Sequence, residues 1–262
     1  MSPSLQPVAF ISHGSPMLAL DQGAWSQALQ AWAGSLAGVR AVVVMSAHWE
    51  GAGAIGVTAA VQPKTMHDFS GFPEALYQLQ YPAPGDPVLA RQVAELLRGD
   101  GMEAALDATR PFDHGAWVPL MKLFPGAQMP VIQVALPASR TPGSVFRAGQ
   151  ALAPLREEGV LLLASGGVVH NLRRLDWSGD PGPEPWAKGF DDWIEAGVQA
   201  LDVPRLLEAA QRGPFYREAV PTSEHFDPLY FALGAAGNSR SAPLFQGWQH
   251  GNLSLKAWAW NG

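Results

Sequence analysis

Residues 160–170 read "VLLLASGGVVH". An unbroken Val/Leu run comes first, then two glycines, and shortly after them a histidine. The run shows no period-two alternation, so it describes a strand covered on both faces, as in a parallel sheet packed between helices. "RAVVVMS" at 40–46 and "PVIQVAL" at 130–136 have the same character. With shorter apolar runs added, strands are expected at 7–11, 39–46, 55–58, 130–136 and 160–165. Between and after them lie helical patterns at 22–33, 87–98, 117–124, 143–157, 186–200, 204–211 and 224–235. The segment "NLSLKAWAW" at 252–260 alternates in period two and fits an edge or antiparallel strand. Strands that alternate with helices imply an α/β fold: one domain over 1–262, a mostly parallel central sheet and helices on both faces.

Composition narrows the function. The 262 residues are 47% hydrophobic and 15% charged, which is ordinary for a globular chain. Lys and Arg number 17 against 23 acidic residues, for a net charge of −6 without any basic tract. That disfavours nucleic acid and anionic membranes as partners. No apolar stretch approaches about 18 residues and no export signal opens the chain, so a cytoplasmic location is expected. Cysteine is absent, which removes thiolate chemistry and leaves only His, Asp, Glu or backbone oxygen to hold a metal. The 28 glycines and 23 prolines imply long ordered loops, where chemistry is often carried.

The histidines fall in a pattern. His13 follows the first strand in "PVAFISHGSPMLAL" (7–20), His48 follows the second, and His170 follows "LLLASGGVV". In an open α/β sheet the C-terminal ends of parallel strands form the edge where ligands bind. His225, beside Glu224 in "PTSEHFDPL" (221–229), is placed at a helix start that can point back to that edge. A lone histidine after a strand is usually a hydrogen-bonded loop residue. Several at one edge indicate a metal or catalytic cluster, and without cysteine the donor set suits zinc or non-haem Fe(II). "HDFSGFP" (67–73) and "FDHGAWVPL" (112–120) add His67 and His114 beside aromatic residues. In the bland reading of these loops, Phe69, Phe72 and Trp117 are packing residues and Asp68 and Asp113 are caps. Gly166 and Gly167 lack the spacing of a phosphate loop and instead allow close backbone approach.

Taken in order, "SHGSP" (12–16), "SAHWE" (46–50), "HDFSGFP", "DHGAWVPL" (113–120), "GGVVHNL" (166–172) and "SEHFDPL" (223–229) resemble the DODA-type extradiol aromatic ring-opening dioxygenases. That group belongs to the class III, protocatechuate 4,5-dioxygenase B-subunit-like superfamily. The resemblance implies one divalent metal per chain, Fe(II) for dioxygenase activity and Zn(II) as isolated. It implies metal ligands among His13, His48, His170 and His225, with His170 and His114 as acid–base groups. His67, Phe72 and Trp117 would line the substrate side, and the partners would be a small catechol and O₂. Two assignments stay open. The last ligand is either His225 or Glu224, and His170 either ligates or only catalyses. An extradiol enzyme needs open metal positions and an imidazole that moves protons near neutral pH, which this residue set provides. A zinc hydrolase on the same scaffold is the alternative. His250, in "WQHGNLSLKAW" (248–258), departs from the family pattern and receives no role beyond shaping structure or pocket.

Overall fold

The computed structural model describes residues 5–179 and 182–261, so positions 1–4, 180–181 and 262 of the expected 1–262 domain lie outside the described residues. The strands in chain order are β1 (Val8–Ser12), β2 (Ala41–Glu50), β3 (Ile55–Thr58), β4 (Ala104–Asp107) and β5 (Val131–Leu136). They continue with β6 (Val160–Gly166), β7 (Ser241–Phe245), β8 (Trp248–Gln249), β9 (Leu253–Ser254) and β10 (Ala257–Trp260). The helices are α1 (Ala24–Ser35), α2 (Glu74–Tyr77), α3 (Pro87–Gly99), α4 (His114–Leu123) and α5 (Pro142–Leu152). After them come α6 (Pro185–Gln199), α7 (Val203–Leu207), α8 (Ala209–Arg212), α9 (Tyr216–Ala219) and α10 (Asp227–Ala236).

An eight-stranded sheet with order β4-β3-β5-β2-β6-β1-β10-β7 forms the centre. Its middle, β5-β2-β6-β1, is parallel throughout. Alternation along each strand divides the core into two layers. Val8, Phe10, Val43, Met45, Leu162 and Ala164 face α3, α5, α6 and α10. Ala9, Ile11, Val42, Val44, Leu161 and Leu163 face α1 and α4. Both faces are therefore apolar, and this is why the strands read as continuous apolar runs.

Several elements depart from the sequence-based expectation. β2 runs on to Glu50, so His48 lies inside the strand rather than just past it; Glu50 pairs with Leu136 after a register shift, which supports the extra length. α4 starts at His114 instead of 117, because the Asp113 side chain accepts from Ala116 N and caps the helix. Pro119 consequently sits within the helix and not in its first turn. α10 starts at Asp227, leaving Glu224 and His225 in the turn before it. The 204–211 pattern is broken into α7 and α8, and 143–157 becomes α5 followed by a 3₁₀ turn at Ala153–Glu158, which carries Pro154. β10 is antiparallel as expected, but it is inserted between β1 and β7 and is not an edge.

One buried ion pair ties α6 to the start of β10. Lys256 Nζ lies 2.6 Å from Asp191 Oδ2 and 2.6 Å from Glu195 Oε2. Ser254 Oγ donates to Asp191 Oδ1 at 2.7 Å. Lys256 and Asp191 are both buried. Removing one charge leaves the other without compensation inside the protein. Lys256→Ala is expected to destabilise the fold by about 3–5 kcal/mol in urea unfolding, far more than an exposed Lys→Ala change.

Candidate metal centre

The parallel middle of the sheet brings three strand ends to one edge. His13 leaves β1 with its backbone N–H donating to Gly166 O at 3.0 Å, so its position is set by β6. His13 Nδ1 then meets Ser165 Oγ at 3.0 Å, which fixes the ring and turns Nε2 outward. His48 Nε2 lies 3.1 Å from that Nε2. His225 reaches the same point from the turn before α10, its ring centroid 5.3 Å from His13 and 4.8 Å from His48. One ring nitrogen from each of His13, His48 and His225 falls within 4.8 Å of the others.

This donor set fits a divalent ion. Ligand nitrogens about 2.0–2.1 Å from one ion must lie close to one another, as the two Nε2 atoms do. Burial, reinforced by the neighbouring imidazoles, holds His13 and His48 well below the usual histidine range, so both keep a lone pair for the ion.

A second layer orients these rings. Glu224 Oε1 sits 3.1 Å from His225 Nδ1 and accepts from Thr222 Oγ1 at 2.8 Å, while Arg140 lies 3.9 Å from its other oxygen. Burial works to raise the Glu224 pKa, but the hydrogen bonds from His225 and Thr222 outweigh it and pull the carboxyl down to about 2. The carboxylate thus stands behind His225, in the usual position of an orienting group for a ligating histidine. His170 lies flat on His225, with centroids 3.6 Å apart and planes 7° apart, and stays outside the converging nitrogens. Burial and the adjacent His225 keep it, too, well below the ordinary range.

His114 enters at the first position of α4, its ring centroid 4.0 Å from that of His48. Asp68 serves both rings: Oδ1 is 3.0 Å from His114 Nδ1, and Oδ2 is 3.6 Å from His48 Nδ1. Asp68 Oδ1 also accepts the His114 backbone N–H at 2.9 Å. A parallel bridge between Thr65 and Phe112 brings the two loops together. Asp113 does more than cap α4. It accepts from Ser46 Oγ at 2.7 Å and is also bonded by Gln133 Nε2, while Ser46 Oγ accepts from the His48 N–H at 3.2 Å. Gly115 packs directly on the centre. A Cβ there would meet Ser46 Oγ at 2.3 Å, His48 Cδ2 at 2.9 Å and His13 Cε1 at 3.3 Å.

Above the histidines opens a cavity of about 800 Å³. His48, His114, His170 and His225 line its floor, and Phe72 and Phe69 form part of its wall. The other two expected substrate-side residues stand behind that wall. His67 Nε2 meets Leu79 O at 3.0 Å, and its ring packs on Phe69 and Trp117. Trp117 is fully buried in the core, its indole N–H donating to Met66 O at 2.9 Å. Sequence reading assigned no site role to Ser46, Ser165, Gly115, Gln249 or Trp177. Only Asp113, directly before a helix, carried a local cue to its part.

Residues 7–256 match the family described as the catalytic LigB subunit of aromatic ring-opening dioxygenase, and the chain belongs to that family. It is a metal-dependent extradiol dioxygenase, and the hydrolase alternative is not favoured. Among its relatives, a "4,5-DOPA dioxygenase extradiol" of Escherichia coli K12 is 39% identical over 97% of this chain and 94% of its own length. A protein of the same description from Beta vulgaris is 38% identical over 96% of this chain and 95% of its own. A crystal structure of an uncharacterized Escherichia coli K12 protein superposes with a TM-score of 0.82 at 34% identity, covering 98% of this chain and 100% of that one.

The close approach of Gly115 yields a test. Gly115→Ala should retain the far-UV circular dichroism of the parent but lose most metal binding in equilibrium dialysis, because the added methyl displaces the His48 and His13 rings.

Proposed function

We propose that His13, His48 and His225 hold one divalent ion, Fe(II) in the active enzyme, and that the substrate is a catechol-type ring opened next to its diol. The observation that carries this reading is the convergence of three imidazole nitrogens at the floor of a cavity whose wall is aromatic. Three ligands on one side leave positions open, and an Fe(II) ion held there supplies the means to bring catechol and O₂ side by side. Zn(II) suits the same donors and is the expected contaminant on isolation.

In this reading the remaining groups handle protons and orientation. The Asp68 carboxylate 3.0 Å from His114 Nδ1 favours the tautomer protonated there, which leaves Nε2 to exchange a proton with the substrate. His170, stacked on His225 and bordering the cavity, is the second acid–base group and takes a hydroxyl proton from the bound catechol. Glu224 keeps His225 aimed and is not itself a ligand. Phe72 and Phe69 hold the ring in place and exclude water, while His67 and Trp117 brace that wall from behind. Cleavage adjacent to the diol gives a ring-opened semialdehyde, which absorbs in the visible.

Anaerobic loading of the apo-protein with Fe(II), addition of catechol or L-DOPA and admission of air should give O₂ uptake with a rise in visible absorbance. No uptake with catechol, L-DOPA or an aryl-substituted catechol overturns the reading. The ligand assignment is tested separately by metal titration. His13→Ala and His48→Ala should abolish stoichiometric binding, and His225→Gln should weaken it at least tenfold. Glu224→Gln should retain the ion with a loss of about 10–100-fold in affinity or activity, as for an orienting carboxylate. Full retention by His225→Gln together with loss by Glu224→Gln would reverse the two roles.

A further inference from the structure

The cavity is far larger than the ring it has to hold. About 800 Å³ is the size that encloses a drug-sized ligand, whereas a bare catechol has only eight non-hydrogen atoms. The surplus space lies toward the mouth, away from the histidine floor, and its lining is distinctive. Leu172, Leu175 and Trp177 come from the segment after β6; Gln249, His250 and Leu253 come from the β8–β9 hairpin. Leu172 is 60% exposed and Trp177 is 74% exposed, two large apolar side chains left uncovered at one opening.

These residues form a built platform. The Trp177 and His250 rings pack with centroids 4.3 Å apart. His250 has a φ of +52°, a left-handed conformation that costs a non-glycine residue energy and persists only when its surroundings enforce it. The enforcing contacts run between the two segments. Asp176 N donates to His250 O at 3.0 Å, His250 Nδ1 lies 3.3 Å from Asp176 O, and Asn252 Nδ2 donates to Arg174 O at 2.5 Å. Gln249 Oε1 accepts from Ser15 N at 3.1 Å, which joins the hairpin to the loop that carries His13.

Charge at the opening points the same way. Among the described residues no Lys or Arg lines the cavity, and its carboxylate is Asp68. Of the arginines nearby, Arg173 is exposed beside Leu172 but does not line the cavity, and the others are engaged elsewhere. Arg110 lies over Trp49 and donates to His48 O, Arg140 pairs with Glu50, and Arg174 pairs with Glu184. A carboxylate held within the cavity would meet neither guanidinium nor ammonium on its lining.

We propose that the catechol taken by this chain carries an uncharged aromatic substituent that stacks on the Trp177–His250 platform. This rests on the dioxygenase reading above and names its substrate class. The catechol ring sits on the histidine floor, and the substituent extends past Phe72 to the mouth.

Three probes separate the possibilities: catechol, 4-benzylcatechol and 3-(3,4-dihydroxyphenyl)propanoate. Dissociation constants are measured anaerobically by calorimetry on the metal-loaded protein, and kcat/KM by O₂ uptake. 4-Benzylcatechol should bind and turn over about tenfold better than the propanoate. Equal or better binding of the propanoate overturns the proposal, whatever the turnover. If 4-benzylcatechol binds about tenfold more tightly and none of the three consumes O₂, the platform stands and the dioxygenase reading falls. Trp177→Ala, an exposed change that leaves the core untouched, should reduce the 4-benzylcatechol-to-catechol ratio of kcat/KM about tenfold; an unchanged ratio removes the platform. Leu172→Arg should shift preference toward the propanoate, and no shift would count against the charge argument.

Discussion

Much of this molecule depends on a single row of residues across the sheet. Parallel pairing sets Ile11 opposite Ser165 and Ser165 opposite Ser46. Because side chains alternate along a strand, fixing that register also fixes where the next residues of β1, β6 and β2 emerge. Each serine in the row then holds part of the centre: Ser165 takes His13, while Ser46 joins the His48 backbone to Asp113 and hence to α4. A slip of one residue in either pairing would turn these hydroxyls to the opposite face. The site is thus positioned by backbone hydrogen bonds deep in the sheet.

The histidines suit an ion because they are kept from doing anything else. In water each imidazole would be solvated and partly protonated near neutrality. Here burial removes the solvent, and the other rings oppose a charge on His13, so the neutral form with a free lone pair prevails. Two carboxylates are kept one layer back, Glu224 on His225 and Asp113 beneath Ser46, while Asp68 lines the cavity between His114 and His48. Under the proposed assignment, nitrogen faces the ion and oxygen fixes the nitrogen. The carboxylate of Asp113 is raised in pKa by burial, which Ser46 and Gln133 partly offset by hydrogen bonding to it.

The parallel sheet and the histidine edge were legible in the sequence because both follow from local patterns. "VLLLAS" and "RAVVVMS" state their burial outright, and a histidine after such a run is placed by the strand before it. What stayed hidden depended on contacts distant along the chain. Asp68 meets His114 across 46 positions, through loops with no periodicity. The choice between Glu224 and His225 turns on the shape of the turn before α10, which adjacent letters do not encode. β4 is four residues long with two of them exposed, too little pattern to register as a strand. His67 and Trp117, marked for the substrate side by their motifs, stand behind Phe69, since packing order within a loop is set in three dimensions.

β10 adds a consequence for how the histidine edge is assembled. This strand pairs with β1, aligning Ala9 with Ala259 and Ile11 with Ala257, and Ser12 N donates to Lys256 O. The strand that delivers His13 is therefore flanked on one side by a strand about 250 positions further along the chain. Long-range pairings of this kind form late, after the loop entropy between the partners has been overcome. His13 is therefore fixed on that side only once two segments far apart in the chain have met. The edge that gathers the histidines is thus complete only when β10 closes against β1, so its geometry depends on the longest-range pairing of β1.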